Sequence, residues 1–218
     1  MKKHIIRYAG FALAILGMVS CSEEQETALR PQDAKSTPMT FLVSHPGQAT
    51  RATETSFEQN DRIGLYVADA KAQLEIGGNL VNNEALTYDG SKWAAARTLY
   101  WDKGTYTAYA YYPYMEDVSS ITDQPFSVVL DQSTAKSKEA LGGYEASDLL
   151  FASSKNISAS ASPIPLNFKH IMSKLKIRLV KGEDFEGDMP TTAQVTIHNT
   201  VPTATIDLQA GVATRYVK

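Results

Sequence analysis

Along most of this chain apolar residues recur at every second position in short runs, and turn residues separate the runs. That period predicts half-buried strands rather than helices. Met39, Phe41 and Val43 share one face of a first strand, which His45-Pro46-Gly47 ends. Ile63, Leu65 and Val67 line a second, opened by Asp61-Arg62. Leu86-Thr87-Tyr88 and Lys92-Trp93 flank Asp89-Gly90, a hairpin signal because glycine accepts positive φ without penalty. Thr98–Trp101 and Tyr106–Tyr112 pair around Asp102-Lys103-Gly104. The second of these is apolar or aromatic on both faces, which predicts a central strand stopped by Pro113. Phe126, Val128 and Leu130 alternate, and Asp148–Ala152 is a short buried run. Leu175, Ile177 and Leu179 alternate with Lys174, Lys176 and Arg178, and Ala193, Val195 and Ile197 repeat that pattern. Ala204–Leu208, before Gly211, is the last candidate strand. The one helix expected is short, around Ser133–Leu141.

These elements predict an all-β fold, and the length of each part divides it. Residues 39–168 suffice for one N-terminal β-sandwich, which needs on the order of 100 residues. The tail, residues 169–218, holds two or three strands, too few to close a sandwich with its own core. Either it packs onto the first domain or it is a partial second β-domain, and the second is the expectation.

The N-terminus follows a different pattern. An apolar run from Tyr8 to Val19 follows Lys2, Lys3 and Arg7 and ends at Ser20. It is too short to span a bilayer as a helix and has the layout of a cleavable signal. Cys21 is the only cysteine, so no intramolecular disulfide can form. Met18-Val19-Ser20-Cys21 resembles the lipobox of bacterial lipoproteins. That resemblance implies a signal peptide over residues 1–20 and a Cys21 thiol carrying a diacylglyceryl group; the alternative is an ordinary secretory signal beside a chance cysteine. Two or three acyl chains, at about 0.8 kcal/mol per buried methylene, hold a protein firmly to a membrane. Residues 21–38 are polar, carry Glu23, Glu24 and Glu26, and read as a flexible acidic linker. The acidic cluster resembles the surface-export signal of Bacteroidetes lipoproteins. No other stretch is long and apolar enough for a membrane span. Loss of residues 1–20 removes three positive charges and takes the net charge from −3 to −6. A nucleic-acid partner, which demands a basic face, is not expected.

Chemistry is sparse. His45, His170 and His198 have no ligand-spaced partners, so neither a metal nor another cofactor is expected. Ser133-Thr134-Ala135-Lys136 has the serine–lysine spacing of penicillin-recognising enzymes but lacks their supporting motifs. There is no nucleophile elbow, phosphate-cradling glycine loop or dinucleotide fingerprint. An enzyme is not expected. Tyr100, Trp101, Tyr111, Tyr112 and Tyr114 form an aromatic cluster in sequence. It reads either as core packing or as a platform for sugar rings, with Tyr111, Tyr112 and Tyr114 the candidate stacking residues.

Several strings, taken in order, carry a family resemblance. Thr50-Arg51-Ala52-Thr53 precedes Asp61-Arg62-Ile63-Gly64-Leu65-Tyr66-Val67, and Tyr88-Asp89-Gly90-Ser91-Lys92-Trp93 precedes Leu99-Tyr100-Trp101. Tyr109-Ala110-Tyr111-Tyr112-Pro113-Tyr114, Asp148-Leu149-Leu150-Phe151-Ala152 and Phe168-Lys169-His170-Ile171-Met172-Ser173-Lys174-Leu175 follow. The series resembles the fimbrillin-like (FimA/Mfa-like) surface lipoproteins of Bacteroidales. The resemblance implies a pilus subunit with transthyretin-like β-sandwich domains, carried to the cell surface as a lipidated precursor on the outer membrane. It also implies that an arginine-specific protease cuts after the first strand and that a neighbouring subunit donates a replacement. Arg51 matches the cleavage arginine in position, and Met39, Phe41 and Val43 then mark the displaced strand. Their removal would expose side chains worth roughly 1.5–3 kcal/mol each and a row of unpaired backbone groups. Such a groove captures an extended strand. The implied partners are other fimbrial subunits, the outer membrane through the lipid on Cys21, and a host or bacterial surface ligand. A tip or anchor subunit and a stand-alone glycan-binding adhesin are the alternatives. The departure is the C-terminus: a chain ending at Lys218 would accept a strand without donating one in the usual way.

Overall fold

The computed structural model describes residues 37–47, 56–137, 140–193 and 195–215. The fold is all-β. Among the described residues eleven strands form three sheets. They are β1 (Phe41–Ser44), β2 (Arg62–Asp69), β3 (Val81–Tyr88), β4 (Trp93–Ala95), β5 (Thr105–Tyr112) and β6 (Gln124–Ser127). β7 (Leu150–Ser158), β8 (Ile164–Asn167), β9 (Lys169–His170), β10 (Thr203–Asp207) and β11 (Val212–Arg215) complete the set.

The central sheet runs β4-β3-β2-β5-β7-β9, with every pair antiparallel. Its middle strands are buried on both faces, and their alternation sorts the side chains. Ile63, Leu65 and Val67 of β2, with Ala108, Ala110 and Tyr112 of β5, point into one core. Tyr66 and Ala68, with Tyr109 and Tyr111, point into the other. The first core is covered by Ile164 and Leu166 of β8 and by the side chains of the β1 segment. The second is covered by Phe126 of β6, Ile206 of β10 and Leu208. A two-sided strand such as β5 is what a sheet covered on both faces requires. Gly64 of β2 lies beneath the Tyr111 ring, which occupies the space a Cβ would need.

Three expectations change. Segment 98–101 is not a strand; its backbone instead bonds residues 37–39, through Met39 N–H to Leu99 O (2.8 Å) and Trp101 N–H to Thr37 O (3.0 Å). No α-helix covers the described residues of 133–141; Lys136 is drawn away to Asp61, and turns lead into a 3₁₀ turn at Glu145–Ser147. Leu175, Ile177, Leu179, Val195 and Ile197 are exposed and lie in no strand among the described residues. Their alternation marks a face that could be buried, but none of the described sheets extends across it. Residues 203–215, by contrast, form a hairpin whose first strand pairs antiparallel with β6.

Candidate functional site: the first strand and its seat

The residues from Thr37 to Ser44 are held along their length by two different partners. The first part bonds the 99–101 segment, with a bridge between Pro38 and Tyr100. The second part, β1, runs parallel to β8 in the register Phe41–Ile164, Leu42–Pro165, Val43–Leu166, Ser44–Asn167. Ile164 N–H donates to Thr40 O at 2.8 Å and Phe168 N–H to Ser44 O at 3.0 Å. At the far end the Ser44 hydroxyl donates to Asn167 Oδ1 at 2.7 Å.

Side chains follow the alternation read from sequence. Met39 is 6% exposed, and Phe41 and Val43 are half-buried against the first core, while Leu42 on the other face is 64% exposed. Trp101, fully buried in the same core, is fixed by an N–H bond to Ser160 O at 3.1 Å. Among the described residues no strand of the central sheet hydrogen-bonds β1. The seat is therefore an apolar trough roofed by one short strand.

The trough ends in a polar pocket that sequence reasoning missed. His45, just past β1, meets the Phe57 ring edge-on at 4.8 Å and the His170 ring at 6.1 Å. Phe57 is a hub, with Trp93, Tyr112 and Phe168 at 5.0–5.5 Å. Around them stand Glu58, Asp61, Lys136, Glu145 and Asp148. Lys136 Nζ donates to Asp61 Oδ1 at 2.6 Å and lies 3.2 Å from Glu58 Oε2. Burial disfavours the ammonium, but bonds to Asp61 and Glu58 outweigh it and raise its pKa. Asp61 is buried, and its second oxygen takes the Glu58 N–H at 2.7 Å. Asp148 accepts from His170 Nδ1 at 2.8 Å. The partly open space between them is about 30 Å³, room for roughly one water and far below a small-molecule site. Lone residues such as Phe57 carry no periodic signal, and the Asp61–Lys136 link joins positions 75 apart.

The serine–lysine pair is dismantled by the same contacts. Lys136 is committed to Asp61 and Glu58, and the Ser133 hydroxyl donates to Asp131. Among the described residues no cluster could hold a metal ion. Two of the three candidate stacking rings need correction. Tyr111 and Tyr112 are 2% and 5% exposed, with their hydroxyls on Asn83 (2.6 Å) and Asp61 (3.4 Å). Burial raises both phenol pKa values. A strand covered on both faces leaves no ring free. Tyr114 is half-buried, and the Arg62 guanidinium lies 4.4 Å from its ring centre. Cys21 and Arg51, the expected lipidation and cleavage positions, lie outside the described residues. So do the signal peptide and nearly all of the acidic linker. No described helix is long and apolar enough to cross a membrane.

The chain is similar to known proteins in sequence and in fold. The sequence profile of a family described as fimbrillin-like matches residues 50–218. A candidate fimbrium tip subunit of Bacteroides ovatus, Fim1C, is 26% identical over 198 residues, covering 82% of this chain and 36% of that protein. The chain thus spans little more than a third of the length of this curated relative. Two solved structures share the fold. A candidate cell adhesion protein of Bacteroides ovatus superposes with a TM-score of 0.51 at 18% identity, over 83% of this chain and 67% of that one. One from Bacteroides uniformis gives 0.52 at 17%, over 84% and 68%.

Proposed function

The chain belongs to the fimbrillin-like family, and from that premise we propose that it is a surface fimbrial subunit whose first strand is its exchangeable part. Its relatives are fimbrial and adhesion proteins rather than enzymes. The observation that carries the reading is the seat of β1. The strand is four residues long and, among the described strands, hydrogen-bonds only β8; together with Met39 just before it, its Phe41 and Val43 enter a core completed by other elements. Removing it leaves the central sheet intact and opens a trough for an extended strand of matching alternation.

In this reading Arg51 is the cleavage point, in the connection between β1 and β2. Cutting there releases the lipid on Cys21 together with the strand; without the cut, Cys21 anchors the subunit to the outer membrane. A tip position is the second reading, favoured by the likeness to a candidate tip subunit.

Limited trypsin digestion of the folded protein tests the mechanism. The first cut should fall at Arg51 and leave residues 56–215 folded. A labelled peptide with the sequence of residues 37–47 should then enter the cleaved protein. A first cut elsewhere, or a cleaved protein that never takes up the peptide, would sink the mechanism.

A further inference from the structure

The pocket at the end of the trough does something that strand exchange alone does not require. His45 follows β1 directly, and its Nδ1 is buried with no hydrogen-bond partner among the described residues. Three of the nearby carboxylates, Asp61, Glu58 and Asp148, are engaged by other donors. From the segment before β2, Asp61 accepts from Lys136, Tyr112 and the Glu58 backbone, and Glu58 pairs with Lys136. From the segment before β7, Asp148 accepts from His170 of β9, and Glu145 of the 3₁₀ turn also lines the pocket. A neutral imidazole tolerates this setting as an edge packed on Phe57. An imidazolium has two N–H donors to satisfy and finds no acceptor at Nδ1.

We propose that His45 is an acid-released latch on β1: neutral, its ring closes the pocket and holds the strand end; protonated, it leaves the pocket and frees that end. Burial, and secondarily the facing His170, push its pKa below the ordinary value, against a weaker opposite pull from Asp148 and Asp61. An undocked His45 titrates near its ordinary value of about 6.5. The latch is therefore fully closed above about pH 6.5 and weakens as pH falls toward the docked pKa, by up to about tenfold per pH unit. Below that value the weakening levels off.

The biological use of such a latch rests on the strand-exchange reading, but its operation is measured without any donor. Hydrogen exchange of the full chain between pH 5 and 8, corrected for intrinsic rates, compares segment 39–47 with β2. Protection of 39–47 should fall by up to about tenfold per unit below about pH 6.5 while β2 stays level. His45→Phe, which keeps a ring and cannot titrate, should abolish the step. His45→Gln is the second variant, in case the larger ring disturbs the pocket. A step that persists in both, or no step in the native chain, overturns the latch. The 37–47 peptide, offered to the trypsin-cleaved protein, separates the two ideas. A step without peptide uptake keeps the latch and removes strand exchange; uptake without a step does the reverse.

Discussion

β5 and β1 were both legible as strands, yet the molecule holds them in opposite ways. β5 is bonded on both edges, to β2 and β7, and buried on both faces. β1 has one ladder, four residues long, and one buried face. A strand with neighbours on every side can leave only if the domain unfolds. One with a single neighbour can open alone, as local stability follows local burial and pairing. The difference marks β1 as the less tightly held of the two strands.

The sharpest way to break the comparison is Leu65→Ala in β2. This fully buried side chain should contribute about 2–5 kcal/mol to global stability. In urea, the unfolding midpoints reported by β1 and by the central sheet should fall together. A mutant in which only β1 loosens would contradict the division. Lys136→Met acts where the two regions meet, since it strands buried Asp61 beside Tyr112 and His45. Its solvent contact reduces the effect to about 1–3 kcal/mol, visible in global melting and in β1 exchange alike. The raised Lys136 pKa adds a sign: the pair's contribution is full below about pH 10.5 and fades as pH rises through the folded value.

Phe41→Ala should separate the regions. It is expected to weaken β1 by about 1–2 kcal/mol, because the ring is only half-buried. Hydrogen exchange of 39–47 should quicken while β2 and β5 hold their protection. Equal loss in all three would make β1 an ordinary part of the core. Smallest is Arg97→Ala, which removes an exposed pair with Glu84 at 2.9 Å. It should change stability by less than about 1 kcal/mol and alter neither strand.

How much could be read in advance follows from the same contrast. β2, β5 and the inward set Met39, Phe41 and Val43 were legible because period two states which side chains share a face. Whether a neighbour exists for that face is a long-range matter. Leu175, Ile177 and Leu179 alternate as cleanly as β2, yet they lie exposed. Phe126 is buried, whereas Leu130 in the same alternation is 86% exposed because β6 ends at Ser127. No helix forms over the described residues of 133–141, where weak local preference lost to a distant carboxylate, Asp61, pulling on Lys136. Tyr111 and Tyr112 were ambiguous in sequence, and only the layers covering the two faces of the sheet decided them. The His45 pocket, assembled from five separate stretches of chain, left no local trace.

Pro165 stands opposite Leu42 in the parallel ladder. Ile164 and Phe168 turn their N–H groups toward β1, so by alternation the backbone nitrogen of Pro165 faces the other way. Proline has no hydrogen to offer there, and that outer rim of β8 cannot complete a regular ladder. Strand pairing on β8 is therefore one-sided, and β1 occupies that side.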